Sequence, residues 1–264
     1  MIADQTLVEV FLEPIRKCAK YRPAFGLGRT SGLKVQEFRE LYGQDAFYSW
    51  LGLDTPSVYA AHKAAGGLTS VYRQIGVGSE RLFRALAADC LDVSDQQLRW
   101  SYTYDKGRGK AAVHTLDVRI ELGDLQPPKR TDVQTWLTDA QKFVSSGSTA
   151  GPAIHGAAFE VRQGYKSADS KRQNADLRFG INAYRDGLLP VFAIFSAQVS
   201  GPVLRRYRAD GMLVLTGVLD GDACTSTFTF FREVVGYDLP GFFERNSTAI
   251  RAEIGKVVDA LLHA

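Results

Sequence analysis

Hydrophobic residues in the first part of the chain recur with the spacing of an amphipathic α-helix. Residues 4 to 20 carry Leu7, Val10, Phe11 and Ile15 on one stripe. A stripe of this period predicts a helix that packs one side against a core.

The helical period continues as far as residue 91, so the sequence predicts a helical N-terminal region. The further predicted helices cover residues 34–42, 56–65 and 68–91. The glycine pair Gly66 and Gly67 predicts a break between the last two, because glycine is a poor helix former. Phe47, Tyr48 and Trp50 form an aromatic cluster between the helices and are predicted to lie in the core.

From residue 99 onward, polar and apolar residues alternate, which is typical of β-strands. Residues 99–104 and 112–122 alternate in this way, and the basic, glycine-bearing turn DKGRGK between them predicts a hairpin. The unbroken apolar run LPVFAIFS, at 189–196, predicts a strand that is buried on both faces. The remaining predicted strands cover 157–163 and 212–216, and the remaining predicted helices cover 133–144, 176–186, 203–207 and 247–262.

This order of elements predicts an α/β (α+β) fold, in which a central mixed β-sheet is flanked by helices. Residues 1–98 are predicted to form a helical region that packs on a mixed-sheet core of residues 99–264. The length of 264 residues suits one compact domain overall.

The charge of the chain is mildly basic, with a formal net charge of +3 and an isoelectric point of about 8.7. This balance permits a polyanionic partner but does not require one. Cys18, Cys90 and Cys224 lie far apart and form no CxxC pair, which disfavours a disulfide framework or a zinc site and indicates a reducing, cytoplasmic environment. The N-terminus lacks the pattern of a signal peptide, and no stretch approaches the roughly 18 apolar residues of a membrane helix. We therefore expect no membrane partner.

Two predicted strands each carry a carboxylate among apolar neighbours. Asp117 lies in HTLDVRIEL, and Glu160 lies in AAFEVRQ. Side chains alternate along a strand, so each carboxylate faces away from its apolar neighbours, and adjacent strands can bring the two together. Neighbouring carboxylates repel unless a cation lies between them, and Mg²⁺ prefers oxygen ligands. The pair predicts a magnesium site, where a bound water can attack a phosphodiester.

Basic side chains follow the second carboxylate. Arg162 shares the strand face of Glu160, where it could orient a water or a phosphate, but arginine stays protonated and cannot act as a general base. Lys166 has the same parity and would need a bend near Gly164, because four residues of strand span roughly 13 Å. Whether Arg162 or Lys166 assists the reaction stays open.

The order of these features resembles the type II restriction endonucleases of the PD-(D/E)XK nuclease superfamily. The resemblance covers about residues 66–217. It is carried by the acid-bearing strand HTLDVRIEL, the acid–x–basic strand FEVRQGYK, the run KSADSKRQNAD, the buried strand LPVFAIFS and an upstream helix with an acid. It implies a restriction-endonuclease-like core and Mg²⁺-dependent, sequence-specific hydrolysis of phosphodiester bonds in double-stranded DNA.

The resemblance also implies roles for individual residues. Asp117 matches the first metal ligand, Glu160 the second, and Glu80 the upstream acid. Arg162 stands where lysine is usual in the family, and the long gap between Asp117 and Glu160 requires an insertion. The expected catalytic residues are Asp117, Glu160, Arg162, Lys166 and Glu80.

Basic loops are expected to hold the DNA backbone, because phosphate contacts come largely from Lys, Arg and polar side chains. The residues expected to bind DNA are Lys106, Arg108, Lys110, Lys171, Arg172, Asn174, Arg205 and Arg206. Lys171 and Arg172 are assigned to a basic, solvated turn. A symmetric DNA site would imply a homodimer. The resemblance further implies a cognate DNA methyltransferase as a functional partner, without required contact.

Two other functions are compatible with the same residues. A chain of this fold, with Arg162 in the lysine position, could bind DNA without cutting it. A metabolic α/β enzyme would contain the acids incidentally, as exposed strand or helix residues. His114 is three residues from Asp117, on the opposite face of a strand, and is interpreted as structural.

Overall fold

The computed structural model describes most of the chain. The described residues are 1–25, 32–105, 111–145, 153–165 and 170–263, and for residues 170–172 the backbone alone is described. Lys106, Arg108, Lys110 and Lys166 lie outside these ranges, so what the sequence predicts for them stays a prediction.

Helices come first, followed by a hairpin and then by strands and helices in alternation, as the sequence pattern predicts. The helices are α1 (Asp4–Arg16), α2 (Val35–Gly43), α3 (Ala46–Trp50), α4 (Pro56–Leu91), α5 (Lys129–Val144), α6 (Ser170–Arg185), α7 (Gly201–Ala209), α8 (Thr227–Phe230) and α9 (Leu239–Leu262). The strands are β1 (Trp100–Asp105), β2 (Ala111–Leu116), β3 (Val118–Glu121), β4 (Gly156–Arg162), β5 (Leu188–Ile194) and β6 (Leu213–Leu215). Over the described residues, no helix is both long and apolar enough to cross a membrane.

The strands form two sheets. β1 and β2 pair as the predicted antiparallel hairpin, from Trp100 opposite Leu116 to Asp105 opposite Ala111. The larger sheet has the order β3-β4-β5-β6, in which β3 is antiparallel to β4, and β4, β5 and β6 are parallel. The prediction is confirmed at the level of a mixed α+β fold whose main sheet is mixed.

Helices cover both faces of the larger sheet. Phe159 of β4 and Phe192 of β5 point to opposite faces, because the parallel register aligns Phe192 with Glu160. Phe159 contacts aromatic rings of α4, α5 and α8, whereas Phe192 contacts rings of α6 and α7. All seven residues of β5 are buried, which confirms what its unbroken apolar sequence predicts.

The chain forms two compact units. The sheet unit comprises Met1–Leu7 and Ser79–Glu244, and the helical unit comprises Val8–Gly78 and Arg245–Ala264. The sequence instead places its division between residues 98 and 99. The structure divides the chain within α4, because residues of α4 after Gly78 belong with the sheet: Phe83 packs against Phe159 with ring centroids 5.2 Å apart.

α4 runs without interruption through Gly66 and Gly67, so the predicted break is wrong. A Cβ atom on Gly66 would lie 2.1 Å from the Tyr21 hydroxyl oxygen, and one on Gly67 would lie 2.5 Å from the Leu261 side chain. The two glycines therefore allow neighbouring segments of the helical unit to approach the helix closely. This packing outweighs the intrinsic helix cost of roughly 1 kcal/mol per glycine.

Phe47, Tyr48 and Trp50 are exposed, so the prediction that they lie in the core is wrong. Their exposed fractions are 61%, 38% and 81%. They belong to the five-residue helix α3, and the Asp45 carboxylate accepts hydrogen bonds from the backbone amides of Phe47 and Tyr48 at 3.0 and 3.2 Å. The cap stabilises this single turn locally, without burial of its aromatic side chains.

α6 begins at Ser170, earlier than the start at Asp176 that the sequence predicts. Lys171, Arg172 and Asn174 therefore lie in the first turns of a helix, and the assignment of Lys171 and Arg172 to a turn is wrong. The physical reason is Asp176, which is buried and bonded to the neighbouring strand β4. This ion pair stabilises the first turns of α6, whose polar sequence lacks the hydrophobic spacing of an amphipathic helix.

Alanine at Gly78 should destabilise the protein, whereas alanine at Gly76 should stabilise it. A Cβ on Gly78 would lie 2.4 Å from the Phe11 carbonyl oxygen, whereas nothing lies within 4 Å of that position on Gly76. We expect Gly78→Ala to lower the free energy of unfolding by about 1–3 kcal/mol through overpacking. We expect Gly76→Ala to raise it by up to about 1 kcal/mol through helix propensity. Urea denaturation measures both changes, and equal effects of the two substitutions would contradict close packing at Gly78.

Candidate active site

Asp117 occupies a bend where the chain passes from one sheet to the other. Leu116, the last residue of β2, pairs with Trp100 of β1. Val118, the first residue of β3, pairs with Phe159 of β4. Leu116 and Val118 are fully buried, and Asp117 between them is half-buried. The sequence predicts one strand over 112–122, but its two halves pair with different partners, and this interrupts the strand at Asp117.

The bend brings Asp117 beside β4. Continuing the antiparallel register of Val118 and Phe159 by one residue places Asp117 opposite Glu160. The Asp117 carboxylate oxygen Oδ2 accepts a hydrogen bond of 2.7 Å from the backbone amide of Val161. The sequence expectation that Asp117 and Glu160 lie on neighbouring strands therefore agrees with the geometry.

Glu80, from α4, lies at the same place. Its carboxylate is close enough to that of Asp117 for the two to interact electrostatically. Arg84, one turn further along α4, donates to the Asp117 carbonyl from Nε at 2.9 Å and lies 3.3 Å from the Glu80 carboxylate. Arg84 thus ties the helix to the bend and holds Glu80 close to Asp117.

Burial and mutual repulsion raise the pKa values of two of these carboxylates. Burial, followed by the negative charges of Glu160 and Glu80, raises the pKa of Asp117 to about 8. Burial also raises the pKa of Glu80, and the Glu160 charge adds to this effect against the opposing effect of Arg84. Three carboxylates from three separate elements therefore interact electrostatically, and at neutral pH Asp117 holds a proton in the absence of a cation.

Arg162 lies beneath Glu160 and is only 6% exposed. Its Nη2 atom is 3.2 Å from Glu160 and 2.5 Å from the carboxylate of Asp176 on α6, and its Nη1 atom also donates to Asp176 at 3.2 Å. Burial opposes the charge on this guanidinium, but Glu160 and Asp176 outweigh it, so the pKa of Arg162 lies above its ordinary value. Arg162 therefore acts as a permanent cation shared by two carboxylates.

Two buried tyrosines donate further hydrogen bonds to the carboxylate of this ion pair. Tyr165 donates to Asp176 at 2.9 Å, and Tyr207 of α7 also donates to Asp176. Burial, with hydrogen bonding to Asp176, raises the pKa of Tyr207, so its hydroxyl remains a donor. Asp176, Tyr165 and Tyr207 are not among the residues that the sequence singles out. Asp176 and Tyr207 belong to helices that follow β4, so the local sequence pattern of the strand does not reveal the ion pair or its hydrogen bonds.

His114 also approaches the carboxylates. Its Nε2 atom is 4.0 Å from the Glu160 oxygen Oε2, and its ring packs edge-on against Tyr102 at 5.4 Å. The expectation that strand alternation keeps His114 away from this site is wrong, because the bend at Asp117 breaks the alternation.

Of the residues expected to bind DNA, those that the structure describes belong to α6 and α7. Asn174, Arg205 and Arg206 are exposed. Arg206 donates to Gln173 of α6 at 2.5 Å, which links the two helices beside each other. The sequence predicts a turn for Lys171 and Arg172, which belong to α6, whereas the predicted short helix that contains Arg205 and Arg206 is confirmed as α7.

The carboxylates of Asp117, Glu160 and Glu80 are chemically suited to bind a hard divalent cation. Carboxylate oxygens are the ligands that Mg²⁺ prefers, and a cation would replace the proton on Asp117 and relieve its repulsion with Glu160 and Glu80. Within the described ranges, no group of three or more His, Cys, Asp or Glu side chains is already arranged to hold a metal ion. Asp117 and Glu160 instead direct oxygens to the Val161 amide and to Arg162.

Comparisons with known proteins add no assignment. No protein-family model, no curated protein sequence and no solved structure matches the chain. The interpretation of the site therefore depends on its residues and their geometry.

Asp176→Asn should destabilise the protein strongly. The substitution leaves Arg162 buried beside a neutral amide, and removing one partner of a buried ion pair costs about 3–5 kcal/mol. Asp139→Asn is the matched control, because its pair with Lys142 has both side chains more than half exposed and should contribute less than about 1 kcal/mol. Chemical denaturation measures both. If Asp176→Asn lowers the free energy of unfolding as little as Asp139→Asn does, the buried network does not hold α6 on the sheet.

The stability of the wild type relative to Asp117→Asn should fall as the pH rises. Folding raises the pKa of Asp117 from 3.8 to about 8, so the folded state binds this proton more tightly than the unfolded state does. The resulting stabilisation is complete below pH 3.8 and is lost by pH 8. The asparagine variant lacks this titration, so the stability difference should shift in its favour between about pH 4 and 8. Urea denaturation at several pH values, with EDTA present, measures the difference. A difference independent of pH would contradict a protonated Asp117.

Proposed function

We propose that the protein is a divalent-cation-dependent phosphodiester hydrolase that cuts double-stranded DNA, of the type II restriction endonuclease class that its sequence resembles. The observation that supports this proposal is the convergence of Asp117, Glu160 and Glu80 from three elements, with the pKa of Asp117 raised to about 8. The negative potential that raises this pKa also attracts a divalent cation, which would displace the proton when it binds.

Asp117 and Glu160 are the proposed Mg²⁺ ligands, and Glu80 adds a third carboxylate. The bound ion would activate a water and polarise the scissile phosphate. Asp117 keeps its position through the Val161 amide, and Glu80 keeps its position through Arg84. These supporting contacts orient the carboxylates before a ligand arrives.

Arg162 has a positioning role in this proposal. It is always protonated and therefore does not act as a base. Its bond to Glu160 orients that carboxylate and offsets part of the negative charge beside Asp117. Lys166, which follows β4, stays a candidate for the usual lysine role, and His114 is a further polar group within reach of Glu160.

The DNA backbone is proposed to contact the exposed basic residues of the sheet unit. Arg205, Arg206 and Asn174 are exposed on adjacent helices, as a phosphate-binding surface requires. Lys106, Arg108, Lys110, Lys171 and Arg172 belong to the same proposal. A homodimer on a symmetric DNA site, a cognate methyltransferase and a cytoplasmic location follow from the restriction endonuclease class and are proposed with it.

A non-catalytic DNA-binding protein is the second candidate function. The observation that favours it is the position of Arg162, whose guanidinium is buried by Asp176, where the nuclease family usually has a lysine at the reacting phosphate. In that case the DNA contacts would be retained and the carboxylates would not support hydrolysis.

Purified protein should cut unmodified phage DNA into discrete fragments with Mg²⁺ and not with EDTA. Glu160→Gln and Asp117→Asn should each lower the rate by at least about a hundredfold, because each removes a charged ligand of the ion. Glu121→Gln is the matched control on β3. Glu121 pairs with Arg119 at 3.0 Å, has no assigned role in the site, and should retain cutting.

A thermal-shift measurement separates the two candidate functions. Mg²⁺ should raise the melting temperature of the wild type and of Glu121→Gln by mass action, and it should not raise that of Glu160→Gln. Salt-sensitive DNA binding without cutting, with either Mg²⁺ or Mn²⁺, would favour the non-catalytic protein. Neither cutting nor DNA binding would contradict both proposals.

A further inference from the structure

The helical unit contains a basic groove of about 810 Å³, which is lined by residues other than those assigned above. The charged side chains that line the groove are Lys20, Arg22, Lys34 and Lys63. Tyr21 and Tyr59 also line it, and none of the described residues that line it carries a carboxylate. A concave surface with four cations and no acid is suited to an anionic ligand.

The walls of the groove are held by backbone contacts. Leu33 donates its amide to the Pro23 carbonyl at 3.0 Å, so the segments around these residues run side by side. Gly32 permits this approach, because a Cβ there would lie 2.3 Å from the Arg22 carbonyl oxygen. The buried hydroxyl of Tyr59 then donates to the Leu33 carbonyl at 2.8 Å. Arg22 and Lys34 are thereby placed on one surface.

Among the described residues, the groove cations differ from other cations of the helical unit because no carboxylate forms an ion pair with them. Lys17 pairs with Glu13 at 2.5 Å, and Lys256 pairs with Glu253 at 2.6 Å. Within the described residues, no ion pair joins Lys20, Arg22, Lys34 or Lys63 to a carboxylate. The positive charges of these four side chains are therefore available to an anionic ligand.

Individual neighbours do not neutralise these cations. Glu37, the acidic residue in the first turn of α2, accepts a hydrogen bond of 2.7 Å from the backbone amide of Lys34 and serves as a cap. The ammonium of Lys63 donates to the carbonyl of His263, which carries no net charge. Lys20, Arg22 and Lys34 are exposed, so their charged ends are accessible to a large ligand.

We propose that this groove binds the phosphodiester backbone of duplex DNA, as a second anchoring surface. Exposed cations spread along an open groove suit a chain of phosphates, whereas a single small phosphate compound would require an enclosed cradle of buried donors. The inference takes DNA as the ligand from the proposed function. It does not require cleavage, so its test is a binding measurement.

The test compares two double variants that remove equal charge from the helical unit. Arg22→Gln/Lys34→Gln removes two groove cations, and Lys17→Gln/Lys256→Gln removes two paired cations. Fluorescence anisotropy with a labelled 30-base-pair duplex, with EDTA and over a range of KCl concentrations, reports affinity. We expect the groove variant to bind roughly tenfold or more weakly at low salt, with the slope of log affinity against log salt reduced by about 1 to 2. The control variant should bind as the wild type does.

Two outcomes would overturn the groove as a DNA anchor. These are a groove variant with the affinity and salt slope of the control, or a wild type that does not bind the duplex. Circular dichroism and thermal melting of both variants establish that they fold.

The groove and the nuclease proposal can fail separately. If the wild type cuts DNA with Mg²⁺ and the groove variant keeps the salt slope of the control, the groove inference fails and the nuclease proposal stands. If the wild type binds DNA through the groove but does not cut it with any divalent cation, the reverse holds.

Discussion

The buried ion pair between Arg162 and Asp176 is the interaction on which the candidate site depends. Placing two charges in the interior is costly, and here the cost is offset by several charge-assisted hydrogen bonds. Asp176 receives donors from Arg162, Tyr165 and Tyr207, so its carboxylate is well satisfied. The pair joins the end of β4 to α6 and positions the guanidinium against Glu160. The orientation of Glu160 is therefore a consequence of packing between a strand and a helix.

The carboxylates above this ion pair have a negative charge that the structure only partly balances. Arg162 lies beside Glu160, and Arg84 lies beside Glu80, whereas the Asp117 carboxylate accepts a hydrogen bond from the Val161 backbone amide. Its raised pKa is the physical result of burial with two negative neighbours. A site in this state responds to cations and to pH. That property is common to metal-dependent hydrolases, and it connects the geometry to the proposed function.

Glycine and aromatic residues show how local pattern and long-range packing can disagree. Gly66 and Gly67 are poor helix formers, yet α4 continues through them because Tyr21 and Leu261 need the space that a side chain would fill. Trp50 is apolar, yet it is 81% exposed because α3 is a single turn stabilised by its own cap. In both cases the sequence pattern reports an average preference, and a specific contact elsewhere in the chain decides the outcome.

The sequence by itself determined the class of fold, the β1–β2 hairpin, the buried strand β5 and the shared face of Glu160 and Arg162. Those features follow from the period of a strand or a helix, which depends only on neighbouring residues. Only the tertiary structure decided that Asp176 binds Arg162, that His114 approaches Glu160 and that Asp117 lies at a bend between two sheets. These contacts join residues far apart in the chain or depend on a change of strand partner. Local periodicity contains no information on either, because burial energy depends on which surfaces meet in three dimensions.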